Sequence, residues 1–175
     1  KNIKKEIDSA IKAVISDTAF IGTSSNKYVQ NFEKAFADFL GIKYCIACAN
    51  GTDAIEIALQ ALGIGPGDEV IVPALTWISS AEAVSSVGAK PVFVDIDQFY
   101  TIDVSQIEAK IIKKTKAIIA VHLYGQPADM PKILQLAKKH NLKVLEDCAQ
   151  AHGAEINGQK VGTFGSVSTF SFFPG

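Results

Sequence analysis

Short strand-like runs alternate with helical ones along most of this chain: KYCIACA then TDAIEIALQAL, DEVIVP then SSAEAVSSV, KPVFVDI then VSQIEAKI, TKAIIAV then MPKILQLAKKH, and finally LKVLED. Strand spacing followed by helical spacing, repeated, is the signature of strand–helix units, and parallel strands need a crossover of that kind to join them. Runs such as VIV and AIIAV are apolar throughout, which predicts strands buried on both faces. The fold class is therefore α/β, with a mainly parallel central sheet flanked by helices. Turn chemistry falls between the runs: GIGPGDE separates a helix from a strand, Gly88 and Pro91 separate the next pair, and Pro131 suits the first turn of a helix. The chain has 175 residues, 48% of them hydrophobic, enough for one core of this kind.

Two amphipathic segments come first. Ile3, Ile7, Ile11, Val14 and Ile15 share one helical face, and Tyr28, Phe32, Phe36, Phe39 and Leu40 repeat that spacing. An N-terminal helical segment over residues 1–40 is expected ahead of an α/β domain over residues 41–175, with no linker or internal repeat. The first segment is amphipathic, unlike a signal peptide, and no apolar stretch is long enough to span a bilayer. Three cysteines, an odd number, fit reduced thiols in the cytoplasm. Residue 1 is lysine, as expected of a sequence that begins inside a longer one. The net charge is −1, from 17 basic and 18 acidic residues without a long run of one sign, so a small-molecule partner is expected rather than nucleic acid or a membrane.

In parallel sheets ligands collect where strands end and helices begin. At CANGTDAIEIAL, Gly51, Thr52 and Asp53 open a helix whose first amides and dipole suit a phosphate, although the glycine spacing is neither GxGxxG nor a Walker loop; the plainer reading is a helix cap from Thr52 or Asp53. VPALTWISS carries Trp77, the sole tryptophan, which is either core or an aromatic platform. AVHLYGQPADM gathers His122, Tyr124, Gly125 and Gln126 in a loop that is also readable as a simple turn, and His122 has no acidic neighbour in sequence.

At KVLEDCAQAHGA, Glu146 and Asp147 end an apolar strand. Alternation sends their carboxylates to opposite faces, one toward solvent or a helix and the other toward a site where it could neutralise a metal, a ribose hydroxyl or a protonated heterocycle. Metal is the weakest choice, because His122, His140 and His152 lack a ligand spacing. Cys45 and Cys48 form a CxxC pair without a second pair to complete a zinc site, and are read as small buried hydrophobes. STFSFFPG reads as a last strand closed by a turn.

CANGTDAIEIALQALGIGPGDEVIVPALTW, GAKPVFVDID, TKAIIAVHLYGQPADM, LEDCAQAHGA and TFSFFPG occur in an order and spacing that resembles the nucleotide-sugar aminotransferases of the DegT/StrS type, from about residue 20 to the end. The resemblance implies fold type I of the pyridoxal 5'-phosphate enzymes, with this chain as the N-terminal helices and most of the large domain. A C-terminal small domain would lie outside it, and a homodimer would share its active sites. Gly51, Thr52 and Asp53 would then hold the cofactor phosphate, with Ser171 of the last strand adding a bond. Trp77 would stack on the pyridine ring, Asp147 would pair with its nitrogen, and Gln150 would sit near its hydroxyl. The Schiff-base lysine is expected directly after Gly175.

The implied activity moves an amino group, from L-glutamate, onto a keto group of a nucleotide-linked sugar in amino-sugar biosynthesis; the 175 residues alone would be inactive. Three alternatives remain at this point: a sugar dehydratase of the same family with histidine in place of the lysine, a catalytically idle regulator, and a non-enzymatic phosphate-binding or redox module. FIGTSS lacks the proline expected after Gly22, which leaves open whether that loop grips sugar or nucleotide.

Overall fold

A computed structural model of the chain describes residues 3–20 and 26–173. The chain forms two compact units, Lys1–Ala47 and Cys48–Gly175. In the first, α1 (Lys4–Ser16) and α2 (Lys27–Leu40) occupy the two amphipathic segments. The Asn26 side chain caps α2 by accepting the amides of Tyr28 and Val29, and Gly41 ends the helix in the left-handed conformation that glycine adopts without strain. Tyr28 donates its hydroxyl to Asp17 at 2.7 Å, tying the end of α1 to the start of α2. No residue of α1 is buried.

The second unit holds the predicted α/β layers: α3 (Gly51–Ala61), β1 (Glu69–Pro73), α4 (Ser79–Ser86), β2 (Lys90–Val94), α5 (Val104–Ile107), β3 (Thr115–Val121), α6 (Met130–His140), β4 (Lys143–Asp147), the short hairpin of β5 (Glu155–Ile156) with β6 (Gln159–Lys160), and β7 (Val167–Thr169). Five strands form one parallel sheet in the order β2-β1-β3-β4-β7. β2 and β3 lie on opposite sides of β1, so the order reverses there and opens a crevice beyond the strand ends.

Alternation along the strands builds two cores. Val70, Val72, Ala117, Ile119 and Leu145 pack with Ile55 and Leu59 of α3 and with Ala83 and Val84 of α4. Ile71, Ile118, Ala120 and Val144 pack on the other face with Met130, Ile133 and Ala137 of α6. Burying an aliphatic side chain of this size contributes about 1.5–3 kcal/mol, so these two layers hold the sheet rigid beneath the loops at its C-terminal edge. Among the described residues no helix is long and apolar enough to cross a membrane.

Three local expectations change. KYCIACA is not a strand: residues 43–49 join no ladder, and Tyr44 and Ile46 are exposed, because local strand propensity makes no strand without a partner backbone. VSQIEAKI is a single α-turn followed by a 3₁₀ turn at Glu108–Lys110. The last strand spans only Val167–Thr169, so Ser171 lies beyond it and not within it. FIGTSS from Ile21 onward, Pro174 and Gly175 lie outside the described residues.

Candidate active site

Gly51 opens α3 and sits directly against Ser171, close enough that a Cβ added to the glycine would lie 2.7 Å from the serine Cβ. The cap of α3 is Asn50, whose side chain accepts the Asp53 amide at 2.9 Å, and neither Thr52 nor Asp53 has that role. The preceding amides, of Gly51 and Thr52, belong to the helix-start set that has no intrahelical acceptor. The Thr52 hydroxyl lies 2.7 Å from that of Ser79, which links the starts of α3 and α4. A glycine, two amides without an intrahelical acceptor and the hydroxyls of Thr52 and Ser171 thus belong to or border one helix N-terminus, where the dipole favours an anion.

The next residue of α4, Ser80, is fully buried and donates to Asp147 Oδ2 at 2.9 Å. The Thr76 hydroxyl lies 3.0 Å from that of Ser80. Asp147 is 5% exposed, and its second oxygen accepts the Ala149 amide at 3.2 Å. Burial pushes its carboxyl above the usual aspartate range, offset in part by the Ala149 amide and the Ser80 hydroxyl. Trp77, 71% exposed, is not a core residue; it lies in the loop between β1 and α4.

Glu146 differs from its neighbour. Its oxygens accept N–H bonds from Gly162 (2.8 Å), Phe164 (2.8 Å), Gly165 (2.7 Å) and His122 Nε2 (3.1 Å). Burial alone would raise its carboxyl, but the His122 ring and the amides more than offset that and hold it below the usual glutamate range. Neither carboxylate faces solvent: Glu146 lies on the α6 face of β4, as the helix branch of the expectation has it, under the turn 162–165, and α4 covers Asp147.

The acid partner missing from the sequence near His122 is Glu146, on the adjacent strand, and the signal for it was the parallel pairing of β3 with β4. The Ala128 amide donates to His122 Nδ1 at 3.0 Å, so Nε2 carries the proton given to Glu146. His122, Glu146 and Cys148 bring their ligand atoms within 4.8 Å of one another, a donor set that histidine spacing did not reveal. Both ring nitrogens and both carboxylate oxygens are engaged in hydrogen bonds, and burial pushes the Cys148 thiol up, so the cluster acts as a structural clamp.

The His122 amide donates to the Asp147 carbonyl at 3.0 Å. Tyr124, held at φ 56°, donates its amide to the Gln150 side chain at 2.9 Å. Gln150 therefore anchors the loop after β3. Contacts thus run from Ser171 and Gly51 through Thr52, Ser79, Ser80 and Asp147 to His122, all at strand ends or the helix starts beside them. Ser79 and Ser80 were missed by sequence reasoning; two serines directly after the tryptophan at a strand–helix junction were the available signal. Cys45 is half-buried and Cys48 exposed, so they are not the buried hydrophobes expected, and the Cys48 thiol bonds the Asn50 carbonyl at 3.4 Å.

Residues 1–175 match a family model described as the DegT/DnrJ/EryC1/StrS aminotransferase family. The chain is 54% identical over 173 residues to a UDP-N-acetyl-3-dehydro-α-D-glucosamine 3-aminotransferase of Acidithiobacillus ferrooxidans, covering 98% of this chain and 46% of that protein. It is also 54% identical over 158 residues to the GDP-perosamine synthase of Caulobacter vibrioides, covering 90% of this chain and 42% of that one. Among solved structures it resembles ntda from Bacillus subtilis with bound cofactor PMP, with a TM-score of 0.91 and 39% identity over 99% of this chain and 39% of that chain. The chain spans less than half the length of these relatives. The fold is that of the large domain of fold type I pyridoxal-phosphate enzymes.

Proposed function

The chain belongs to the DegT/DnrJ/EryC1/StrS aminotransferase family, and from that premise we propose that it carries the cofactor-holding part of a pyridoxal 5'-phosphate-dependent sugar aminotransferase. The enzyme transfers an amino group from L-glutamate to a keto group of a nucleotide-activated sugar. Residues 41–175 are the cofactor-binding part and residues 1–40 a helical segment ahead of it. The observation that carries this reading is Asp147, a buried carboxylate with two donors where its neighbour has four, at the same sheet edge as an anion-ready helix start.

The residues present fit the cofactor. Its phosphate suits the amides of Gly51 and Thr52, the Thr52 and Ser171 hydroxyls and the nearby Asp53, and its protonated ring nitrogen suits Asp147. Trp77 is available to stack on the ring, and Gln150 stands on the loop beside it. Bound there, the cofactor supplies an electron-withdrawing ring that eases removal of the α-proton of an amino acid. Asp147 holds the positive charge on the nitrogen in a water-poor place, where a carboxylate stabilises it far more than in water. The helix start of α3 holds the phosphate end, and Trp77 keeps water from one ring face.

The exposed Leu75, Ile78 and Tyr124 support a second copy of the protein covering this edge, as a homodimer with shared sites. The reduced thiols of Cys48 and Cys148 support a cytoplasmic enzyme. Full-length protein is expected to absorb as a lysine-bound cofactor that borohydride fixes in place. It should also release 2-oxoglutarate from glutamate when a nucleotide-linked keto sugar is present. Protein that binds cofactor without lysine attachment and removes a sugar hydroxyl would instead be the dehydratase.

A further inference from the structure

Ser80 sits in the first turn of α4, fully buried, where alanine would cost the helix less. A serine hydroxyl on a helix usually turns back to the carbonyl four residues earlier, as Ser85 does with Ala81 at 3.2 Å. Ser80 instead reaches across to β4 and gives its proton to Asp147 Oδ2. An ionised carboxylate can only accept, and Ser80 has one proton, so Thr76 must be the donor in the 3.0 Å contact between their hydroxyls. When Asp147 takes a proton, both bonds can reverse.

We infer that Thr76 and Ser80 form a two-hydroxyl relay that orients the Asp147 carboxylate and keeps it ionised, which makes Ser80 a positioning residue for whatever cation that carboxylate holds. Its bearing on the cofactor rests on the reading that Asp147 pairs with the ring nitrogen. The titratable groups that act on Asp147 are His122 from the end of β3 and Cys148 beside it in the chain, while Glu146 points to the other face of β4. The His122 ring is committed to Glu146 and Ala128. Oδ1 has the Ala149 amide and Oδ2 has Ser80, so removing the Ser80 hydroxyl strips one oxygen of its donor.

Full-length apoprotein carrying ¹³C-carboxyl aspartate reports this directly, with Asp147→Asn used to assign the signal. Ser80→Ala is expected to move the Asp147 titration to higher pH, Thr76→Val to move it less in the same direction, and Ser80→Thr to return it. Pyridoxal 5'-phosphate affinity, read by fluorescence, should fall about tenfold in Ser80→Ala, the loss of one bond to a charged group, and recover in Ser80→Thr. An unchanged titration in Ser80→Ala overturns the relay whatever the cofactor does. If that variant does not fold, an unchanged titration in Thr76→Val, at a half-buried position, overturns it equally. A shifted titration with unchanged cofactor affinity keeps the relay and overturns Asp147 as the ring partner.

Discussion

Glu146 and Asp147 are adjacent carboxylic acids and both buried, yet the two faces of β4 give them opposite characters. On the α6 face, Glu146 collects four N–H donors and sits below its ordinary range. On the α4 face, Asp147 collects two donors and sits above its own. Burial penalises both charges; the number of donors decides which carboxylate is content and which is left wanting a cation. A saturated carboxylate is structural cement, and one with fewer donors has room for a further partner.

The strongest way to break this contrast is Glu146→Ala, which leaves three amides and the His122 N–H without an acceptor. A loss of about 3–5 kcal/mol is expected, read as a lower denaturation midpoint. Asp147→Asn should do the reverse, leaving stability at neutral pH unchanged or raised. Its amino transfer should fall about 10²–10³-fold, the typical cost of one electrostatic group at a reacting centre, as read by glutamate turnover in the full-length enzyme. If both variants lose stability alike, the distinction between the faces fails.

Gly51→Ala tests the far end of the site. The new Cβ would meet Ser171, so about 1–3 kcal/mol of overpacking is expected, together with weaker phosphate retention measured by cofactor release.

The smallest effect is in the pH dependence of stability. Glu146, whose folded value is depressed, contributes stability that is present above the ordinary glutamate range and lost as pH falls through its folded value. Asp147, whose folded value is raised, contributes stability that is fully present below the ordinary aspartate range and lost as pH rises through its folded value. The stability advantage of Asp147→Asn over the parent should therefore grow as pH rises from acid toward neutral, measured by denaturation at each pH. A constant difference would mean that Asp147 is not desolvated.

Apart from the short turn at 104–110, the strand and helix runs from Glu69 to Asp147 were legible from spacing alone, because a side chain's position on a strand or helix face is a local property of the backbone. So was the gathering of polar side chains such as Asp147 and Thr52 at strand ends and the helix starts beside them. The residues 43–49 were misread for the complementary reason: a strand needs a ladder, and a ladder partner lies far away in sequence or is absent. The same holds for the length of β7, which ends where its pairing with β4 ends at Thr169.

By itself, then, the sequence determined the α/β class, the two buried faces of the sheet and the family, since each rests on local period or on ordered motifs. It also determined that Glu146 and Asp147 would part company, because alternation is intrinsic to a strand. Only the tertiary structure decided which carboxylate was saturated, through donors from His122, 24 residues earlier, and Ser80, 67 residues before Asp147. Hydrogen bonds are made across space between groups that the chain order does not name, and their number sets the charge each acid can hold.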